Sequence, residues 1–355
     1  MKRLIMSEPK KARVEGLLIG THSGTFHADE ALAVNLLRSL EEYKSSRLVR
    51  TRDPKVLETC DIVVDVGGEY KPDSHRYDHH QRGFNETYSS SHLTKLSSAG
   101  LIYKHFGKQI IATYLKLKSD DGSLPILMAK MYDDFVEAID GIDNGINQYE
   151  AVNPDGKPAE VEVRKKYRSS TSLSDRISRL NPDWNEPSNS DILDAKFEVA
   201  SKLAGSEFFE RLDYYAKSWL PGRDLVVEAL KDRFTNDVQD PQGRVLVFEQ
   251  FCPWKGHLHT LEATLEASST GEKVLPLYVL YADESGGWRV QAIPKVPDGF
   301  ESRKALPEAW RGIRDEALSQ LTGIPDCVFV HAAGFIGGNK TRQGAVEMVK
   351  KALAL

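Results

Sequence analysis

His22, His27 and Asp29 fall within eight consecutive residues. Imidazole and carboxylate at that density are a supply of first-row metal ligands in one turn of chain. Asp65 follows Ile62-Val63-Val64 and precedes Gly67-Gly68, so it projects from a strand end with little crowding and is able to bridge two cations. Asp78-His79-His80 sets one carboxylate beside two imidazoles, a combination for which a packed core has little use. Asp140 and Asp143, three apart on a helix, share a face, and Gly145 lets the chain turn directly afterwards. Mixed nitrogen and carboxylate ligation suits Mn²⁺, Fe²⁺ or Zn²⁺ better than the all-oxygen shell of Mg²⁺. Two such ions activate a water and clamp the attacking and leaving oxygens of a phosphoryl displacement, so a metal-dependent phosphoesterase is the expected chemistry.

The elements that must position these groups are legible nearby. Gly16–Gly20 and Ile62–Val66 read as buried strands, with Leu48–Thr51 as another, and each of the first two runs straight into polar residues or glycine. From Asp29 to Leu40 apolar residues recur at helical spacing, which puts the first ligand cluster at a helix N-terminus. Helices are expected over Ser97–Phe106 and Pro125–Ile142. Strand and helix alternation of this kind is the signature of an α/β domain with a parallel sheet, whose ligands bind beyond the carboxyl ends of the strands. Residues 1–15 are expected to be a disordered tail and 16–190 the catalytic domain, with a boundary in the turn-rich stretch Asn181–Ser190. Residues 191–355 then hold a helical connector, 191–233 with a break at Pro221-Gly222, and a smaller mixed α+β domain. Its strands are expected at Val245–Phe248, Val274–Tyr281, Trp288–Ile293 and Cys327–His331, with a helix over 308–322.

The formal net charge of −5 means that a polyanionic substrate must be met by bound cations or a local basic patch. The strongest basic run is Arg164–Arg168. Cys60, Cys252 and Cys327 form neither a metal-binding pair nor a disulfide framework, which reads as a reducing compartment with Cys60 and Cys252 filling core. No apolar run approaches the roughly 18 residues of a membrane span.

The order His…His-x-Asp, Val-Asp-Val, Asp-His-His, Asp-Asn-Gly resembles the four motifs of the DHH phosphoesterase superfamily. More closely, His22-Ser-Gly-Thr-Phe-His27-Ala-Asp29-Glu-Ala, Arg50-Thr-Arg-Asp-Pro, Asp61-Ile-Val-Val-Asp-Val-Gly-Gly and Tyr77-Asp-His-His-Gln-Arg82 resemble the MYG family of eukaryotic 3′–5′ RNA exonucleases of the nucleolus and mitochondria. Leu96–Tyr103, Trp310–Ala317 and Phe329–Gly338 continue the likeness over nearly the whole chain. The resemblance implies a DHH-type catalytic domain holding two divalent cations, Mn²⁺ foremost. One is held by His22, His27 and Asp65, the other by Asp29, Asp65, His79 and Asp143. His80 faces the scissile phosphate, Asp78 orients a neighbouring imidazole, and Asp143 rather than Asp140 fits the motif. The implied substrate is the 3′ end of RNA, with Arg82, Arg311, Arg314, Gly337, Gly338 and Lys340 as candidate contacts. A small-molecule phosphoesterase acting on pyrophosphate, dinucleotides or phosphoadenosine phosphate is the alternative, and a non-catalytic RNA-binding protein the other. Two departures stand out. His27 occupies the place of the superfamily's first Asp, with one extra residue in the spacer. Gly337-Gly338-Asn339 matches only part of a Gly-Gly-Gly-His loop.

Overall fold

The computed structural model describes residues 16–149, 167–266, 274–297 and 299–355, and these divide into two units, Met1–Tyr215 and Ala216–Leu355. The expected tail and most of the basic run at 164–168 lie outside the described residues.

The first unit is α/β. Its order is β1 (Leu18–Thr21), α1 (Ala28–Arg38), β2 (Arg47–Arg50), α2 (Pro54–Leu57), β3 (Ile62–Val64), β4 (Tyr70–Lys71), β5 (Arg76–Tyr77), α3 (Ser98–Leu115), α4 (Leu124–Met131), α5 (Glu137–Asp143), α6 (Leu173–Ser178) and α7 (Ser190–Tyr214). The strands lie in the order β2-β1-β3-β5-β4; the first four run parallel, and β4 closes the edge antiparallel to β5. Ile19, Ile62, Val63 and Val64 are almost wholly buried, as expected of parallel strands covered on both faces. The register pairs Ile19 with both Leu48 and Ile62, and Val64 with Tyr77, so β1, β3 and β5 all end at one edge of the sheet.

The expected helix at 97–106 runs on to Leu115, and the one at 125–142 is interrupted by a π-helical turn at Tyr132–Val136. The boundary expected near residue 190 falls instead at Tyr215, because α7 packs along α1. Arg50, whose side chain is 1% exposed, ties the two: it bonds Asp194 of α7 and the Gly24 carbonyl, with its guanidinium over Phe26 and Phe197.

The second unit contains α8 (Leu220–Asp232), β6 (Val245–Phe248), α9 (Trp254–Glu266), β7 (Tyr278–Ala282), β8 (Trp288–Ala292), α10 (Asp315–Thr322), β9 (Cys327–Val330), β10 (Ile336–Asn339) and α11 (Arg342–Ala354). Its mixed sheet has the order β6-β7-β8-β10-β9, parallel only between β6 and β7. Val290, Leu280, Val330 and Met348 are among the residues of its core. Pro221 does not break a helix here. It lies in the first turn of α8, directly after a π-helical turn at Tyr215–Trp219. Among the described residues no helix is long and apolar enough to cross a membrane.

Candidate metal centre

The sheet edge builds the centre. His22 follows the last residue of β1, Asp65 the last of β3, and Asp78-His79-His80 the last of β5. Asp65 adopts the left-handed backbone at φ 57°, which an Asp tolerates at a cost and which turns its carboxylate back over the edge. His27 is the N-cap of α1, placing Asp29 in the first turn, and Asp143 ends α5.

Asp65 stands in the middle. Its Oδ2 lies 3.4 Å from His22 Nε2, and its Oδ1 lies 3.4 Å from His79 Nε2 and 3.5 Å from His80 Nδ1. His79 Nε2 is also 3.0 Å from an Asp143 oxygen. Among the described residues donor atoms gather in three groups, each within 4.8 Å: His22, His27, Glu30 and Asp65; Asp65, His79 and His80; Asp29, His79 and Asp143. Asp65 Oδ1 and His79 Nε2 are buried and, though close, meet no partner in hydrogen-bonding geometry. Atoms that converge without bonding one another are arranged around a shared third body, so the donor set fits divalent cations. His22, Asp29, Asp65 and His79 are 3% exposed or less, whereas the His27 and His80 side chains are exposed.

The imidazoles are held in a common orientation. Asn144 Nδ2 donates to the carbonyls of Lys95 and Asp140, which fixes its amide so that Oδ1 faces His79 Nδ1 at 3.1 Å. A carbonyl oxygen only accepts, so the His79 proton sits on Nδ1 and Nε2 turns to the centre. His22 Nδ1 likewise donates to the Ser23 carbonyl at 3.2 Å, and His80 Nδ1 to Asp78 Oδ1 at 2.7 Å. Asp78 also accepts from the N–H groups of Gly68, His79 and His80, which fixes its carboxylate beside the His80 ring.

Asp29 and Asp140 both bind the N-terminus of α3, with different outcomes. Asp140 is fully buried, accepts from Ser97 N–H, Ser97 Oγ and Gly100 N–H through one oxygen, and from the Tyr132 hydroxyl through the other. A Cβ at Gly100 would collide with that carboxylate, so glycine alone admits it. Asp29 accepts the N–H groups of Ser98 and Ala99 and lies against the Ser97 hydroxyl, yet remains beside His79 and Asp143. Asp140 is thus used up in holding α3, whereas Asp143 points at the cluster.

Charges follow this geometry. Burial opposes protonation of His22, but Asp65 and Glu30 outweigh it and lift its pKa to about 10; Asp143 and Asp65 lift His79 to about 11 against the same penalty. Burial would raise Asp65, yet His22 and His79 draw it down to about 2. Burial, with Asp143 and Asp65 nearby, pushes Asp29 well above the usual carboxylate range. Asp78 raises His80.

A cavity of about 1410 Å³ opens over the cluster, lined in part by His27, His80, Asp143, Arg52, Ile139 and Ser172. Nothing in the Arg-Thr-Arg-Asp-Pro stretch separates its two arginines by residue type, but the fold does: Arg50 is inward and structural, while Arg52 is exposed at the rim. Glu30 and Asn144 are further residues of the site that sequence reasoning misses. The His27…Glu30 spacing of a capping box, and Asn144 beside Asp143, are the available signals. Arg82 is exposed on a loop. The other candidate substrate contacts belong to the second unit. There Gly337 and Gly338 are paired strand residues of β10 rather than a loop, and Arg311 donates to the Leu306 carbonyl. Arg314 and Lys340 are exposed.

The family model described as MYG1 exonuclease, uncharacterised protein family UPF0160, matches residues 18–353. A protein named MYG1 exonuclease from Bos taurus is 52% identical over 342 residues, covering 95% of this chain and 84% of its own. The Homo sapiens protein of that name is 50% identical over 355 residues, covering 98% of this chain and 89% of its own. The MYG1 protein of Dictyostelium discoideum is 47% identical over 337 residues, covering 95% and 96%. No solved structure matches. With a model spanning nearly all of its length and relatives about half identical over at least 95% of it, the chain belongs to the MYG1 family.

Proposed function

We propose that this chain is a divalent-metal-dependent exonuclease with the site architecture of the DHH superfamily, releasing nucleoside 5′-monophosphates from the 3′ end of RNA. The observation that carries the reading is Asp65, a buried carboxylate that imidazoles from two strand ends approach at 3.4 Å, with an Asp143 oxygen closing on the same His79 nitrogen. His22, His27 and Asp65 would hold one cation and Asp29, Asp65, His79 and Asp143 the other. When bound, the ions supply Lewis acidity and neutralise the phosphoryl oxygens that a chain of net charge −5 would repel. Asn144 keeps the His79 proton on Nδ1, away from the ions. His80, braced by Asp78 through Nδ1, keeps Nε2 to donate a proton to the departing oxygen, and Arg52 meets the substrate phosphate at the rim. The cavity of about 1410 Å³ over the cluster has room for a polymer end. The names of the bovine and human relatives support exonuclease activity. The resemblance supports a nucleolar and mitochondrial setting, which fractionation of the tagged chain tests.

The decisive assay is digestion of 5′-labelled RNA and DNA oligomers with Mn²⁺, set beside turnover of pyrophosphate, a dinucleotide and phosphoadenosine phosphate. The expected result is a ladder shortening from the 3′ end of RNA with mononucleotide products. Intact RNA alongside rapid turnover of a small substrate would replace the reading with the small-molecule one. Absence of any Mn²⁺-dependent hydrolysis would leave a non-catalytic RNA-binding protein.

A further inference from the structure

We propose that Glu30 is a ligand of the cation held by His22, His27 and Asp65, supplying the carboxylate that His27 does not; this rests on the metal-dependent reading above. Glu30 lies in the first turn of α1 and is 0% exposed. Part of its role is local, since its two oxygens accept the His27 N–H at 2.9 and 3.1 Å. A cap of that kind needs only an acceptor, and glutamine provides one as well as glutamate. Full burial of a carboxylate is a different matter, because the charge must be met by an opposite one. The ionic contacts of Glu30 among the described residues are His22 Nε2 at 3.1 Å and His27 Nδ1 at 4.0 Å. His22 Nδ1 is committed to the Ser23 carbonyl, so Nε2 is its ligating atom, and a Glu30 oxygen converges on the point that this atom and Asp65 Oδ2 also face.

Charge counting leads to the same place. The cation held by His22, His27 and Asp65 has two neutral imidazoles and a carboxylate shared with the other ion, whereas that other ion has Asp29 and Asp143 besides. Glu30 completes the balance. An imidazole at position 27 is tolerable for this reason: the lost carboxylate returns three residues later, on the same turn.

The test is calorimetric titration of Mn²⁺ into the EDTA-stripped, dialysed full chain. Wild type is expected to take up two ions. Glu30→Gln, which retains the cap, should melt cooperatively near the wild-type temperature without metal, yet bind one ion more than about 100-fold more weakly or not at all. Loss of groups that merely orient a ligand costs about 10–100-fold, so a loss within or below that range overturns the ligand role. Two Mn²⁺ bound by Glu30→Gln with wild-type affinity would reduce Glu30 to a cap and overturn the proposal while leaving the metal-dependent reading intact. Wild type binding no Mn²⁺ would overturn both. Should Glu30→Gln not fold, Glu30→Asp keeps the charge on a shorter arm; weakened binding of one ion supports the ligand role, and unchanged affinity at both sites overturns it.

Discussion

Two regions share a sequence pattern, charged or small residues next to a β-type run: the edge of the first unit's sheet, and the glycine-rich strand β10 of the other unit. Their structures differ in one respect: whether the polar atoms are already spent. At the first edge, Asp65 and His79 point buried atoms at one another without bonding. Around β10, Asn339 donates to the Pro325 carbonyl and accepts from Thr341, Arg311 holds the Leu306 carbonyl, and Arg342 holds Asp237 and Glu249. A Cβ on Gly338 would collide with Arg289 Nη1, so that glycine makes room for a neighbouring side chain. Unspent polarity in a buried place marks chemistry; spent polarity marks architecture.

The sharpest way to break this contrast is at Asp65 and His79. Asp65→Ala or His79→Ala should lower RNA hydrolysis by at least about 10³-fold, or ~4 kcal/mol of transition-state stabilisation, while the metal-free protein keeps its helical circular dichroism. Near-wild-type turnover by both purified variants would show that the convergent atoms are not the reacting site. On the architectural side, Leu280→Ala in the core of the other unit should cost about 2–5 kcal/mol of stability through the cavity it leaves, read from urea denaturation. It should leave the number of Mn²⁺ ions bound by the first unit unchanged. Between these lies Asn144→Ala, which removes the acceptor fixing His79. Mn²⁺ affinity should fall by about 10–100-fold with the stoichiometry intact, and an unaltered titration would mean that the His79 orientation is set elsewhere.

How much of this is legible in the sequence follows from the same physics. Gly16–Gly20 and Ile62–Val66 are readable as strands because buried parallel strands are continuous apolar runs. Two-residue β4 and β5 leave no such trace, so the strand that carries Asp78-His79-His80 to the edge is visible only through its ligands. β10 reads as a loop because Gly337-Gly338 lacks strand propensity; pairing on both sides with β8 and β9 overrides it. The π-turn at 132–136 and the extension of α3 to Leu115 depend on packing that no local pattern encodes. The candidate ligands are legible as residue types. Glu30 is not, because a glutamate in a first helical turn is ordinarily a cap, and only its complete burial draws attention to it.

Acidity separates the two regions more gently. In the metal-free protein His22 and His79 have folded pKa values of about 10 and 11, above the ordinary 6.5, so their pairs stabilise fully below about pH 6.5. That stability is lost as pH rises through 10 and 11. Asp65, drawn down to about 2, stabilises above the usual 3.8 and loses the contribution as pH falls towards 2. Mn²⁺ must displace the imidazole protons, so its affinity should increase between pH 6 and 8 by up to about tenfold per unit for each proton released. Titrations in buffers of different ionisation enthalpy count those protons, and a pH-independent affinity without proton release would contradict the charge assignment.

The smallest effects decide whether the unit that contains β10 touches RNA at all. Arg342 is partly exposed and its donors are occupied by Asp237 and Glu249, so Arg342→Ala should cost about 0.2–1 kcal/mol of stability and leave RNA affinity as it was. Lys340 is exposed, and its ammonium stands 3.9 Å from Asp326, too far for a hydrogen bond. If that unit holds the backbone of a bound strand, Lys340→Ala should weaken RNA binding uniformly across sequences. The slope of log affinity against log salt should then fall by about 0.7, the share of one phosphate contact on a single strand. A slope unchanged in Lys340→Ala but reduced in Arg342→Ala would invert the distinction between spent and unspent cations, because the paired guanidinium would then be the one that lets go of its carboxylates to bind phosphate.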